Sequence, residues 1–241
     1  MRRSHSADSG PIVIEGFPGM GGVSSITSRY IIDFFGLKRM AVLDLDSMPP
    51  ITIVKNRKHV PPVVVYGGML PNGRKLAVIH SEIPAPENGI KRIASEIAEW
   101  ASSINASLLL SAQGMLVERE EETGEISIYG TASSEKGEKM LEEAGIEIME
   151  EGIITGIPGL LLSEGERHGI ATIALLAESK SREIDAGSAA LMVHAIDKLC
   201  LKSNMDCGPI CTIAVGNGSH RAQYEKRETA VRGAITGLVY R

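Results

Sequence analysis

Ile12-Val13-Ile14-Glu15-Gly16-Phe17-Pro18-Gly19-Met20-Gly21-Gly22 is the stretch whose reading decides the fold. A short apolar run enters a glycine-rich turn, and beyond it Val23, Ile26, Tyr30, Ile31 and Phe34 recur as one stripe of an amphipathic helix that Gly36 can end. The same grammar continues outward. Residues 41–45 read as a second strand, and 51–55 with 63–66 as a long hairpin across a polar segment ending in Pro61-Pro62. Residues 76–80 are a buried-type run, after which Asn88 caps a helix with the stripe Ile90, Ile93, Ala94, Ile97, Trp100 and Ile104. Strands follow over 107–111 and 126–129, the latter after the turn-like Thr123-Gly124, then a charged helix over 134–144 that Gly145 ends. Residues 152–157 read as a strand running into Pro158 at a first helical turn, with Gly169 closing the helix. Residues 171–177 are a further strand, and Asp185 caps a helix over 186–201. Beyond Cys207, residues 210–215 fit either a strand or a buried helix, and 219–235 read as helical. The alternation predicts an α/β protein, a three-layer αβα sandwich around a mixed, largely parallel sheet. It is expected as a single domain over 11–237, with a loose N-terminal tail at 1–10 and a docking tail at 238–241.

Composition narrows the function. With 241 residues, 43% of them apolar and 23% charged, the chain can bury a full core. A net charge of −5 argues against a nucleic-acid partner, which calls for a surplus of Lys and Arg. Cys200, Cys207 and Cys211 fit no zinc spacing and read as reduced, packed thiols, so no metal is expected. The first ten residues lack the apolar stretch of a secretory signal, and runs such as 171–177 fall short of the ~18 residues needed to span a bilayer. A cytoplasmic protein without a membrane partner is expected.

Three features bear chemistry. In the turn, Gly19, Gly21, Gly22 and Ser24 approximate a dinucleotide-binding fingerprint, because a strand that turns sharply into a helix aims backbone N–H groups at whatever covers it. A tight connection that needs positive φ and close packing accounts for the same glycines without a ligand. Glu15 and Glu178, both at strand ends, can do acid/base work if the sheet brings them to one rim, and otherwise read as solvated or capping acids. The six histidines form no near-neighbour pair, and no Gly-x-Ser-x-Gly elbow, Walker loop or Cys-x-x-Cys occurs. The third feature is Val239-Tyr240-Arg241: an apolar side chain, a penultimate aromatic and a carboxylate that together suit a docking tail released after Gly237.

Two separated signatures carry a family resemblance. One is Glu15-Gly16-Phe17-Pro18-Gly19-Met20-Gly21 through Ser24 and the helix to Tyr30. The other is Gly156-Ile157-Pro158-Gly159-Leu160-Leu161-Leu162, followed by Glu164-Gly165-Glu166-Arg167-His168-Gly169 and Leu175-Leu176-Ala177-Glu178-Ser179. With these the chain resembles the proteasome-assembly-chaperone (PAC) family. The resemblance implies an αβα fold similar to nucleoside phosphorylases without their catalytic set, and binding to proteasome α subunits. Archaeal relatives end in a hydrophobic-tyrosine-any-residue tail, which Val239-Tyr240-Arg241 matches. The departures are Ser24, where a smaller residue is expected, and 203–219, which does not align.

The resulting expectation is a non-enzymatic homo-oligomer without a cofactor. It docks Val239, Tyr240 and Arg241 between core-particle α subunits, as an assembly chaperone or ATP-independent activator. The alternative is a protein that binds a nucleotide, nucleoside or phosphate over the 16–22 turn, or a hydrolase-like enzyme there, using Glu15 or Glu178.

Overall fold

A computed structural model describes residues 10–117, 126–179 and 184–210. The opening motif forms β1 (Ile12–Gly16), a turn, and α1 (Val23–Phe34), with Gly36 in the left-handed region directly after it. The chain continues through β2 (Lys38–Val42), β3 (Ile53–Lys55), β4 (Lys58–Val60), β5 (Val63–Met69) and β6 (Lys75–Ser81) to α2 (Ile90–Ser103). Then come β7 (Leu108–Leu116), β8 (Ile128–Ala132), α3 (Glu135–Ala144), β9 (Glu147–Ile148), α4 (Gly156–His168), β10 (Thr172–Ser179) and α5 (Ala186–Ile196).

Eight strands form one sheet in the order β2-β5-β6-β1-β7-β10-β8-β9. The centre, β6-β1-β7-β10, is parallel; the pairs β2-β5, β5-β6 and β10-β8 are antiparallel, and β8-β9 is parallel. The sheet is therefore mixed, with its parallel part confined mainly to the middle. Both faces of β1 are covered, which is why it reads as an unbroken apolar run. Ile12 and Ile14 join Leu110 and Leu175 in a core with Ile31 of α1 and Val193 of α5. Val13, Ile79 and Leu109 face the other way, onto Ile93 and Ile97 of α2 and Leu161 of α4. The result is three layers, with α1 and α5 on one face and α2 and α4 on the other. Among the described residues no helix is long and apolar enough to cross a membrane.

Four expectations need correction. The strand expected at 41–45 is β2, shifted towards the N-terminus, and every residue in it is exposed. As an edge strand it leaves Met40 and Val42 exposed beside Lys38 and Arg39, so its apolar residues do not mark where it begins. The long hairpin does not form. β3 instead pairs with β4 across Asn56-Arg57, whose φ values of 49° and 63° match the left-handed pair of a tight two-residue turn. That leaves β5 to pair with β2 and β6. Asn88 does not cap α2; it sits in a short 3₁₀ turn, and the N-cap is Gly89. Residues 152–157 form no strand. Ile153 is 91% exposed, and Gly156, at φ 79°, opens α4 with Pro158 in its first turn.

Candidate functional site

A cleft of about 130 Å³ lies over the carboxyl end of β1. From there the chain leaves β1 towards α1 on one face, whereas the neighbouring β6 feeds α2 on the other. Such a divergence of adjacent parallel strands opens a crevice at the sheet edge. Its floor holds Glu15, 2% exposed, whose Oε1 accepts from the Phe17 N–H at 2.6 Å and whose Oε2 accepts from the Ser111 hydroxyl at 2.5 Å. Ser111 is the register partner of Glu15 on β7, so the bond runs straight across the sheet. Burial pushes the Glu15 carboxyl up to about 7, against the pull of these two donors. Phe17, Ile90 and Ile157 contribute apolar walls, and Gln113 lies on the rim. Gly19 and Gly156 flank Gln113 closely: a Cβ on Gly19 would stand 3.5 Å from its Cγ, and one on Gly156 3.3 Å from its Oε1.

The remainder of the glycine turn serves packing. Gly21 and Gly22 have φ of 64° and 62°, and the Gly21 carbonyl accepts from the Asp185 N–H at 2.8 Å. A Cβ on Gly21 would come within 2.7 Å of Ser179 Oγ. Asp185 accepts from the Ser179 hydroxyl at 2.9 Å and caps α5 through the Ser188 N–H. The turn is thus held against the start of α5. Ser24 is buried, and its hydroxyl has no hydrogen-bond partner among the described residues.

Glu178 does not join Glu15. Register through β7 places Ala174 of β10 level with Glu15, and Glu178 four residues farther on. Two strand spacings and four residue rises separate the two positions by roughly 16 Å, too far for one acid/base pair. Glu178 is buried and accepts from the Ser127 N–H at 3.0 Å.

A second polar group escaped the sequence pattern because its members lie on different elements. His80 Nδ1 is 2.9 Å from Ser28 Oγ, and Nε2 is 3.6 Å from Glu82. Glu82 also takes Arg29 at 3.3 Å and the Lys55 ammonium. Burial lowers the His80 pKa, and its bond to Glu82 only partly opposes this, so the imidazole is neutral at neutral pH. Burial acts to raise Glu82, but hydrogen bonds from His80 and Lys55 outweigh it and draw the carboxyl down to about 2. Ser28 is 1% exposed and also lies 3.1 Å from the Ser25 carbonyl. Its one proton has two acceptors and no path to a substrate, so the group fastens α1 to β6.

Of the six residues expected to bind a ligand, Glu15 and Gly19 line the cleft; Gly21, Gly22, Ser24 and Glu178 do not. Gln113 was missed, although an amide inside the apolar run of β7 is a readable signal. Val239, Tyr240 and Arg241 lie outside the described residues, as do Thr123, Gly124 and Cys211. Cys200 is buried, which pushes its thiol up to about 12. No cluster of metal-ligating side chains occurs among the described residues.

The sequence profile of the PAC2 family matches residues 13–209. An uncharacterized protein of Methanocaldococcus jannaschii, MJ0106, is 29% identical over 189 residues, 78% of this chain and 75% of its own length. The crystal structure of Pyrococcus furiosus PbaA, an archaeal homolog of proteasome-assembly chaperone, superposes with a TM-score of 0.78 at 28% identity, covering 92% of this chain and 95% of PbaA. Pyrococcus furiosus PbaB, an archaeal proteasome activator, shares the fold with a TM-score of 0.74 at 24% identity, covering 85% and 89%.

Proposed function

Since the chain belongs to the PAC2 family, we propose that it is a non-enzymatic protein that binds the proteasome core particle, as an assembly chaperone or an ATP-independent activator. The observation that carries this reading is the likeness to PbaA, a homolog of proteasome-assembly chaperone, over nearly the whole length of both chains. The contact is made by Val239, Tyr240 and Arg241 inserting between neighbouring α subunits. Val239 fills an apolar pocket, the Tyr240 ring packs with its hydroxyl bonded, and the Arg241 carboxylate meets a lysine of the ring. One such tail binds weakly. A homo-oligomer that displays several gains through effective concentration, on the order of 10²-fold where the geometry allows simultaneous engagement.

The test is binding of the full chain to immobilised core particle, with and without Tyr240→Ala. Loss of an aromatic anchor of ~2 kcal/mol weakens binding about 30-fold. An unchanged affinity, with circular dichroism confirming the fold, would remove the tail from the mechanism. Peptide hydrolysis by mature core particle then separates the two roles: an activator stimulates it, whereas an assembly chaperone promotes α-ring formation from free subunits and leaves it unchanged.

A further inference from the structure

None of the residues assigned to the proteasome contact lines the cleft over β1, and we infer that the cleft binds a small planar heterocycle through a lactam edge, an N–H beside a C=O. Its size sets the first limit. A dry engineered cavity of about 150 Å³ takes a benzene ring, so the cleft at about 130 Å³ holds roughly one ring. Its walls set the second: Phe17, Ile90, Ile157 and Pro158 are apolar and suit a flat, uncharged body.

Its polar groups determine the edge. Glu15 and Gln113 stand on adjacent strands and on the same face, because Gln113 is two residues, about 7 Å, beyond the Ser111 that is level with Glu15. Each Glu15 oxygen already accepts one hydrogen bond and has a second lone pair. The Gln113 side chain makes no hydrogen bond to the described protein, although Gly19 and Gly156 enclose it closely. A buried carboxylate with spare acceptor capacity can take a ligand N–H, and the half-buried amide NH₂ of Gln113 a neighbouring C=O. A lactam supplies both. Phosphate does not fit, because its charge would oppose that of the Glu15 carboxylate.

The test uses the full chain with uracil and 2-pyridone as one-ring lactam probes, 1,3-dimethyluracil as a ring without the N–H, and inorganic phosphate. The expected result is a rise in thermal midpoint, and heat in calorimetry, with a lactam probe but not with dimethyluracil or phosphate. Gln113→Leu should weaken that binding about tenfold, the factor for one hydrogen bond, without changing the midpoint of the free protein. Glu15→Gln, which replaces one acceptor oxygen by a donor NH₂, should also weaken it about tenfold, and Gln113→Leu carries the test independently. Among the described residues Glu15 is the one titratable side chain lining the cleft, so lactam affinity should also fall as the pH is lowered below 7. No response to either lactam, an equal response to dimethyluracil or phosphate, or unchanged affinity in Gln113→Leu would each overturn the inference.

Discussion

Replacing Glu15 by glutamine should make the protein more stable at neutral pH and leave it nearly unchanged in acid. The folded carboxyl titrates near 7 against 4.5 for the free group, with burial as the dominant cause. Between those values the folded chain holds a proton that the unfolded chain has released, so wild-type stability falls as pH rises from 4.5 and levels off above 7. Integrated over that window, at about 1.4 kcal/mol per unit, the loss is about 3 kcal/mol. Glutamine keeps a carbonyl for the Phe17 N–H or the Ser111 hydroxyl and carries no charge to desolvate. The stability difference between variant and wild type should therefore be small at pH 4.5, climb through pH 6 and reach a plateau by pH 8. Urea denaturation of both proteins across this range measures it, and subtraction cancels the other titrating groups. Ser111→Ala should raise the Glu15 pKa further, since it removes a donor that favours the charged form. A flat difference, or a wild type that gains stability towards neutral pH as an ordinary paired carboxylate does, would refute the reasoning.

Two further outcomes follow from packing and charge. Gly165 in α4 has no room for a methyl group: a Cβ there would fall 1.8 Å from Thr172 Oγ1. Gly165→Ala should destabilise by about 1–3 kcal/mol despite the better helix propensity of alanine. Gly187→Ala, where the nearest atom is 3.5 Å away, should be neutral or stabilising; equal thermal midpoints in the two variants would contradict this. Glu82, drawn down to about 2 chiefly by hydrogen bonds from His80 and Lys55 that outweigh burial, stabilises the fold above its ordinary pKa of 4.5 and loses that contribution as pH falls from 4.5 towards 2. Glu82→Gln should flatten this acid limb and weaken the fold at neutral pH, where Arg29 and Lys55 lose their counter-charge. A wild-type acid limb that persists in the variant would assign it elsewhere.

The central layers were legible because burial on both faces turns β1, β6, β7 and β10 into apolar runs, and because Gly36, Gly145 and Gly169 stop helices by adopting the left-handed region. What failed was at edges and starts. β2 is wholly exposed, so its apolar Met40, Ala41 and Val42 do not mark its bounds, and the short β3-β4 ribbon is governed by the backbone of Asn56 and Arg57. The apolar Ile153 and Ile154 resemble a strand, yet the positive φ of Gly156 and the missing N–H of Pro158 favour a helix start immediately after them. The site was half legible. Glu15 and Gly19 stand out beside the glycine turn, but Gln113 and Gly156 reach the same cleft from distant parts of the chain. Ser28, His80 and Glu82 likewise meet only once α1 packs on the sheet.

Co-sedimentation of purified core particle with the intact chain, and with a chain that ends at Leu238, bears most directly on the proteasome reading. The intact protein should travel with the particle and the shortened one, equally folded, should stay behind. Equal recovery of both with the particle, or of neither, would contradict it.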